Sequence, residues 1–226
     1  MNYEIKRSKR KTLTIQVFRD QRVEVRAPLR CKDSEIERFM AKHENWVINK
    51  LNESQAYPGL PPSQFNHQGY LWLFGEQLTI EVTAGIRNIV SLEQGRLVVI
   101  QTQPQDSEKT NRLITRWKKA YAANFFEQRL EYWATQFPLV LPEHQFKIRK
   151  MKRQWGNCNH RGIITINSQL IRYPLACIDY VLVHELTHLK HLNHGRGFYS
   201  LMEKVCPDWK EQRLLLSRFS YSRNTR

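Results

Sequence analysis

The most constraining feature of the sequence is a largely apolar stretch, Ile178–Val183, that runs directly into ionisable side chains. His184, Glu185 and His188 follow it without a break. A segment this apolar, with no continuous polar face, predicts a helix that is buried inside the protein. Burying two imidazoles and a carboxylate is costly unless a metal or hydrogen-bond partners replace the lost water. The chain must therefore fold around this helix and supply partners for its polar groups.

The ionisable residues form the pattern HExxH. Residues four apart on a helix lie on one face in successive turns, so His184 and His188 can share a tetrahedral zinc ion. Glu185 lies about 100° around the helix from His184, beside the metal rather than on it. Zinc lowers the pKa of a bound water and polarises a carbonyl, and a glutamate in this place accepts the proton as general base. The pattern predicts one Zn²⁺, or another divalent metal, per chain and Glu185 as the catalytic base.

A third ligand is needed, and the sequence after His188 leaves three candidates. His191 continues the same helical face, whereas His194 would point away if the helix continued unbroken. The residues on either side of His194 favour turns, so we expect the helix to end near Leu192 and His194 to turn back towards the metal. His191 would then orient a ligand by a hydrogen bond or act as a cation at the helix C-terminus. Glu203, on the next helix, is the third candidate.

The rest of the chain has β-like patterns in its first half and mainly helical patterns in its second. Strands are predicted at residues 12–17, 22–26, 70–74, 78–82, 97–101, 146–151 and 162–167. Helices are predicted from Ser34 to Leu51, from about Glu108 to Phe137, and at 175–192, 197–205 and beyond Pro207. This order predicts an α+β fold in which the HExxH helix packs on a small mixed sheet. Residues 1–105 form a β-rich region and residues 106–226 a catalytic core, the two making one integrated unit.

The net charge of +15 over 226 residues concerns partners rather than fold. Basic residues concentrate at 6–11, 147–153 and 213–226, which indicates an acidic or nucleic-acid partner, a phosphate-bearing substrate, or simply a solvated basic surface. No apolar run is long enough to span a membrane, and the N-terminus lacks the apolar core of a secretory signal. The four cysteines are scattered without a CxxC pair, which is typical of reduced thiols, so we expect a cytoplasmic location.

A set of segments spread over nearly the whole chain has a recognisable combination of residues. The segments are 7–13, 25–28, Trp155–Cys158, 162–167, 178–186, Asn193-His194 and Phe198. Together they resemble the YgjP-like family, the DUF45 group of metal-dependent hydrolases in the zincin superfamily. The resemblance implies a zincin-like catalytic core with His184, His188 and His194 as ligands and Glu185 as base. The spacing HExxHxxxxxH is similar to that of three-histidine zincins, although His191 replaces their turn glycine. Asn157 replaces the family's usual serine, which affects no ligand.

Two further groups of residues are candidates for contacts with a substrate. One is a segment that alternates like a strand next to the active helix, and it consists of Ile163, Ile164, Thr165 and Ile166. As an edge strand it would pair with an extended peptide; as an ordinary sheet strand it would bind nothing. The other group could stabilise a developing oxyanion and consists of Tyr199, Arg196 and Tyr180, of which Tyr180 is also explained by packing.

The leading hypothesis is a zinc-dependent, peptidase-like hydrolase in which Glu185 activates metal-bound water for attack on a peptide or amide carbonyl. The first alternative keeps the metal and replaces the peptide by a nucleoside triphosphate, because the chain is so basic; the sequence has no glycine-rich phosphate loop. The second alternative is a non-catalytic, nucleic-acid-associated module with structural zinc. Glu185 counts against that alternative, since a closed structural zinc site needs no base.

Overall fold

The computed structural model describes residues 2–18, 20–56 and 60–219, without the side chains of 53–56. Contacts divide the chain into two compact units, Met1–Gly59 with Ser217–Arg226, and Leu60–Leu216. The sequence placed its boundary between residues 105 and 106 instead. The reason for the difference is that the long helix after residue 106 packs against the strands before it, so both belong to the larger unit.

The smaller unit is a three-stranded sheet with two helices. Strand β1 (Glu4–Ser8) runs parallel to β3 (Val23–Pro28), and β2 (Thr14–Val17) pairs with β3 in antiparallel register, which confirms the predicted hairpin. Helices α1 (Asp33–Lys42) and α2 (Glu44–Ala56) replace the single predicted helix, because the chain leaves helical geometry at His43. Apolar residues of β2 and β3 pack with those of α1 and α2 into the core of this unit.

The larger unit begins with a four-stranded sheet of order β4-β5-β7-β6. Its strands are β4 (Tyr70–Leu73), β5 (Glu76–Ala84), β6 (Ile89–Glu93) and β7 (Arg96–Gln101), and only β5 and β7 are parallel. The sequence predicted three of these strands and missed β6. Helix α3 (Ser107–Thr135) begins at Asp106, whose carboxylate accepts a hydrogen bond from the Lys109 amide at 2.8 Å.

A second sheet of order β8-β10-β9 follows, made of β8 (Gln145–Arg149), β9 (Gly156–Cys158) and β10 (Ile163–Asn167). A short 3-10 helix (Leu170–Arg172) leads into α4 (Leu175–Thr187), which carries HExxH, and then come α5 (Arg196–Val205) and α6 (Trp209–Phe219). Helix α4 packs against α3 on one side and against β9, β10 and α5 on others. The α+β class and the buried HExxH helix are confirmed, and this enclosure is why α4 can be apolar on nearly every face.

Candidate metal centre

The C-terminus of α4 determines where the histidines lie. The helix ends at Thr187, five residues earlier than predicted, and the turn that follows is closed by a hydrogen bond from the His191 amide to the Thr187 carbonyl at 3.0 Å. His184 therefore lies in the last turn and His188 caps the helix. Because helix C-termini carry partial negative charge, this end of α4 favours a bound cation.

Three imidazoles meet at this helix end. The Nε2 atom of His184 lies 3.2 Å from Nε2 of His188 and 3.0 Å from Nε2 of His194. The candidate ligand atoms of the three residues all lie within 4.8 Å of one another. Two nitrogens bound to one tetrahedral zinc lie about 3.3 Å apart, because each Zn–N bond is about 2.0–2.1 Å long. The donor set and its spacing therefore fit a zinc ion.

A backbone carbonyl orients one of these rings. Nδ1 of His188 lies 2.9 Å from the carbonyl oxygen of His191, so Nδ1 carries the proton and donates it there. The lone pair of His188 is then on Nε2, the atom that faces His184. The sequence expected His191 to act through its ring, but its carbonyl makes this contact. Its ring lies over Gly197 instead, where an added Cβ would come within 2.8 Å of Cε1.

Burial keeps the imidazoles of His184 and His188 neutral. Burial, and then the neighbouring His188 and His194, lower the pKa of His184 to about 3. Burial likewise lowers the pKa of His188, and the hydrogen bond to the His191 carbonyl only partly offsets it. Neutral imidazoles expose the nitrogen lone pairs that a metal requires. His184 and His188 are therefore in the ligand form at neutral pH.

Glu185 lies beside the triad in an almost closed compartment. Its side chain is 4% exposed, and Oε2 has no hydrogen-bond partner in the described part of the chain. Burial raises the pKa of Glu185 to about 8, and a dication close by would act in the opposite direction. Strand β9 makes room for it: a Cβ on Gly156 would lie 2.5 Å from Oε1 of Glu185. Only glycine allows the strand to approach the carboxylate this closely.

An ion pair between Asp179 of α4 and Arg129 of α3 fixes the two helices against each other, about one turn before His184. Asp179 accepts hydrogen bonds from Nε and Nη2 of Arg129, at 2.7 and 2.8 Å, and from Nε1 of Trp133 at 2.8 Å. The bidentate pairing raises the pKa of Arg129. Such a geometry compensates for burying the carboxylate and restricts both sliding and rotation of α4.

Aromatic packing completes the ligand cluster. The Phe198 ring lies 4.9 Å from the His184 ring and 4.7 Å from the rings of His188 and His194. Tyr180 lies 5.8 Å from His184, and burial raises the pKa of its phenol to about 12, so it stays a neutral hydrogen-bond donor.

The other sequence candidates lie at different distances from the triad. Tyr199 stacks on Trp209 and has its ring 6.4 Å from that of His194. Arg196 is exposed at the start of α5, and no contact described for it reaches the histidines. Glu203 is exposed and lies 3.7 Å from the amino group of Lys210, outside the histidine cluster. Among the three candidates for the third ligand, the structure therefore brings only His194 to the other two histidines.

Of the two alternatives for Ile163–Ile166, an edge strand or an ordinary sheet strand, the structure shows the second. The segment belongs to β10, which pairs with β8 on one side through Ile164 and Phe146 and with β9 on the other through Ile164 and Cys158. The main-chain groups that a peptide would need are thus already used. The edge next to α4 is β9, which the sequence did not predict as a strand.

A family model described as YgjP-like, metallopeptidase domain matches residues 11–219. The chain belongs to the YgjP-like family. The expected resemblance is confirmed, and membership supports a metal-dependent, peptidase-like hydrolase.

Two crystal structures of metallopeptidase zymogens are similar to parts of the chain. Abylysin from Pyrococcus abyssi is 25% identical with a TM-score of 0.40, and the match covers 45% of this chain and 99% of that one. Jannalysin from Methanocaldococcus jannaschii is 16% identical with a TM-score of 0.36, covering 40% and 92% respectively. A search of curated proteins found no match. No helix in the described residues is long and apolar enough to cross a membrane.

Two features of this site were not predicted from the residues alone. Gly156 and Phe198 were noticed only as parts of family-like segments. The available signal was the tetrapeptide Trp155–Cys158, in which a glycine lies between a tryptophan and two polar residues. The role of Gly156 depends on its close approach to Glu185, which lies 29 positions later, so the local sequence pattern could not reveal it.

Proposed function

We propose that this protein is a zinc-dependent peptidase in which His184, His188 and His194 hold the metal and Glu185 is the general base. One observation carries the proposal: three imidazoles converge at one helix end, next to a buried carboxylate whose Oε2 has no partner among the described residues. A bound zinc ion would supply a Lewis acid that polarises a carbonyl and makes water more acidic.

The residues of the chain supply positioning and proton transfer. Glu185 is held by β9 on one side and by α4 itself, so its carboxylate has little freedom to leave the site. A buried base with a raised pKa holds a proton more readily than an exposed one, which suits acceptance of a proton from water and its delivery to the leaving amine. Tyr180, a neutral phenol against His184, is the best-placed donor for the developing oxyanion. Tyr199 and Arg196 are the remaining candidates.

An extended peptide is the substrate shape that the local structure favours. Strand β9 is the outer strand of its sheet, so one side of its backbone is open to a further strand. It lies directly against Glu185 through Gly156. A peptide added to β9 would therefore pass the base with its scissile carbonyl close to the three histidines.

A second candidate substrate is a nucleoside triphosphate, favoured by basic side chains near the same sheet. Lys147 and Arg149 are exposed on β8, and neither pairs with a carboxylate within the described residues. The same basic surface would bind an acidic or nucleic-acid partner.

The four cysteines are free thiols, which supports a reducing, cytoplasmic location.

The decisive experiment is a Glu185→Gln variant assayed against unstructured peptides and, in parallel, nucleoside triphosphates. We expect about one zinc per chain by metal analysis. We also expect peptide turnover to fall by roughly 10²–10⁴-fold, because the base is lost while the ligands remain. Phosphate release that depends on Glu185, without peptide cleavage, would favour the nucleotide substrate.

Glu203→Gln is the matched control, since Glu203 is an exposed carboxylate on the helix that follows the site. It should retain both zinc and turnover. Unchanged peptide cleavage by Glu185→Gln would refute the assignment of the base, and zinc loss in Glu203→Gln would refute the three-histidine ligand set. Binding of DNA with a steep salt dependence and no hydrolysis of either substrate would instead support a structural zinc module.

A further inference from the structure

The outer edge of strand β9 leaves the main-chain groups of two residues unused. β9 pairs with β10 in antiparallel register, and the ladder extends past both strand ends: the Trp155 carbonyl accepts a hydrogen bond of 2.8 Å from β10, and the Asn159 amide donates one of 3.2 Å to it. Because bonded and non-bonded pairs alternate in such a ladder, the main-chain groups of Gly156 and Cys158 point away from β10. In the described part of the chain no hydrogen bond is made by these groups, so they are available to an added strand.

This edge fits a peptide better than a nucleic acid. Its free groups alternate between N–H donors and C=O acceptors, as the groups of a peptide backbone do. The phosphates of a nucleic acid only accept hydrogen bonds, so they would leave the carbonyls of Gly156 and Cys158 without donors. Gly156 also lies against Glu185, since an added Cβ would be 2.5 Å from Oε1. The middle of a peptide on this edge is therefore next to the proposed base.

An exposed cation lies at each end of this edge. Arg153 precedes β9, and Arg161 follows it in the turn to β10, with Lys152 and His160 as exposed neighbours. Among the residues that the structure describes, no carboxylate forms an ion pair with either arginine. Eight positions separate the two arginines, so their Cα atoms lie at most about 26 Å apart, which a short extended peptide can span.

Two asparagine side chains fix the backbone around these arginines. The buried Asn167 side chain donates to two main-chain carbonyls at 2.9 Å, one on each side of Arg153. Oδ1 of Asn159 accepts from the Arg161 amide at 2.9 Å and from the first amide of β10 at 3.1 Å. Both ends of the edge are therefore ordered before a ligand binds, which lowers the entropic cost of binding.

The sequence around this edge contains no acidic side chain. Residues 144–178, which include all three strands of the sheet, hold seven lysines and arginines and no aspartate or glutamate. Glu143 comes just before them, and its carbonyl oxygen would lie 3.0 Å from a Cβ on Gly162, yet within the described residues its carboxylate forms no ion pair with Arg161. A group of like charges without opposite charges among them attracts anionic ligands and repels cationic ones.

We propose that the edge of β9 binds an extended peptide that carries acidic residues on both sides of the bond to be cleaved. With the middle of the peptide at Gly156, acidic side chains three to five residues away would lie near Arg153 and Arg161. A single nucleotide is shorter than this edge and would contact only one of the two arginines. The inference rests on the proposed peptidase function and names its substrate class.

The test compares three capped peptides of about ten residues that share an uncharged centre and carry Glu, Gln or Lys pairs at both ends. Charges at both ends make the result independent of the direction in which the peptide binds. Affinity is measured by fluorescence anisotropy with the full-length, zinc-loaded Glu185→Gln variant, so that turnover does not consume the peptides. The Glu-flanked peptide should bind more tightly than the Gln-flanked one, and added salt should reduce the difference.

Charge reversal at each end of the edge locates the effect. Arg153→Glu, introduced into this variant, should weaken binding of the Glu-flanked peptide roughly fivefold to thirtyfold, because an attraction between exposed charges becomes a repulsion of similar size. It should leave the Gln-flanked peptide within about twofold and strengthen binding of the Lys-flanked one. Arg161→Glu should act in the same way. Lys119→Glu is the matched control, since it makes the same charge change at an exposed lysine of α3, and it should leave all three affinities unchanged.

Equal affinity for the Glu-flanked and Gln-flanked peptides, or losses in Arg153→Glu and Arg161→Glu no larger than in Lys119→Glu, would overturn the proposal. Displacement of the Glu-flanked peptide by a short single-stranded DNA at a lower concentration than by unlabelled peptide would overturn it in favour of a nucleic-acid partner. Cleavage by the unaltered protein separates this inference from the proposed function. Charge-dependent binding without cleavage of any peptide would refute the peptidase and keep the acidic-peptide site, whereas equal kcat/KM for all three peptides would keep the peptidase and refute the acidic preference.

Discussion

Replacing Lys118 by methionine should make the protein more stable at neutral pH. Burial and two neighbouring cations lower the pKa of Lys118 from 10.5 to about 8 in the folded state. Each unit of pKa difference corresponds to about 1.4 kcal/mol, so the charged lysine costs about 3 kcal/mol at pH 7. The side chain is only 8% exposed, so solvent screening reduces this cost little. Methionine loses the cation–π contact with Phe65, worth about 1 kcal/mol, which leaves a net gain of about 2 kcal/mol.

The gain should depend on pH in a defined direction. Between the folded pKa of about 8 and the unfolded value of 10.5, the unfolded chain binds more protons at this residue than the folded one. The stability of the unaltered protein therefore rises with pH through this window as far as Lys118 is concerned. The full penalty is present below about pH 8 and has disappeared above pH 10.5. The advantage of Lys118→Met should shrink accordingly as the pH is raised.

Urea unfolding of both proteins at pH 7 and pH 10 measures the difference directly. Comparing the two proteins at each pH cancels the titration of all other groups. We expect the difference in unfolding free energy between the variant and the unaltered protein to be about 2–3 kcal/mol smaller at pH 10 than at pH 7. Lys119→Met should show no such change, because Lys119 is exposed. A difference for Lys118→Met that is the same at both pH values would refute the burial argument.

Two further substitutions test how the metal centre is supported. Gly156→Ala places a Cβ 2.5 Å from Oε1 of Glu185. We therefore expect the variant to retain zinc but to lose at least tenfold in hydrolysis rate. Full activity would show that the close approach of β9 to Glu185 is not needed. Asp179→Ala leaves Arg129 and Trp133 without their shared hydrogen-bond acceptor. Urea unfolding should then show that the free energy of unfolding falls by about 3–5 kcal/mol. A decrease below about 1 kcal/mol would show that this ion pair contributes little to stability.

The local sequence pattern was sufficient to predict a residue's role wherever that role depends on residues close to it in the chain. The i, i+4 spacing of His184 and His188 follows from helical geometry alone, and the apolar residues before them predicted a buried helix, as observed. The predicted hairpin and the long helix after Asp106 also follow from local signals. Errors appear where the end of an element depends on packing: α4 stops at Thr187 because the next residues form hydrogen-bonded turns around the histidines.

The alternation of apolar and polar residues could not predict the order of the strands in the second sheet. The alternating pattern of β10 correctly predicted a strand, but a strand pattern does not say how many neighbours the strand has. Its partners on both sides come from segments before it, and one of them, β9, is only three residues long. The open edge therefore falls on β9 instead of β10. This assignment changes which backbone a peptide substrate would meet.

By itself, the sequence determined the family, the α+β class, the HExxH helix and the three histidines as candidates for one metal. Only the tertiary structure decided that His194, and not Glu203, lies with the helical pair, and that Gly156 lies against Glu185. It also decided that Lys118, one basic residue among many, is buried. The physical reason is the range of the interactions: helix geometry acts over a few residues, whereas burial and close approach are set by segments far apart in the chain.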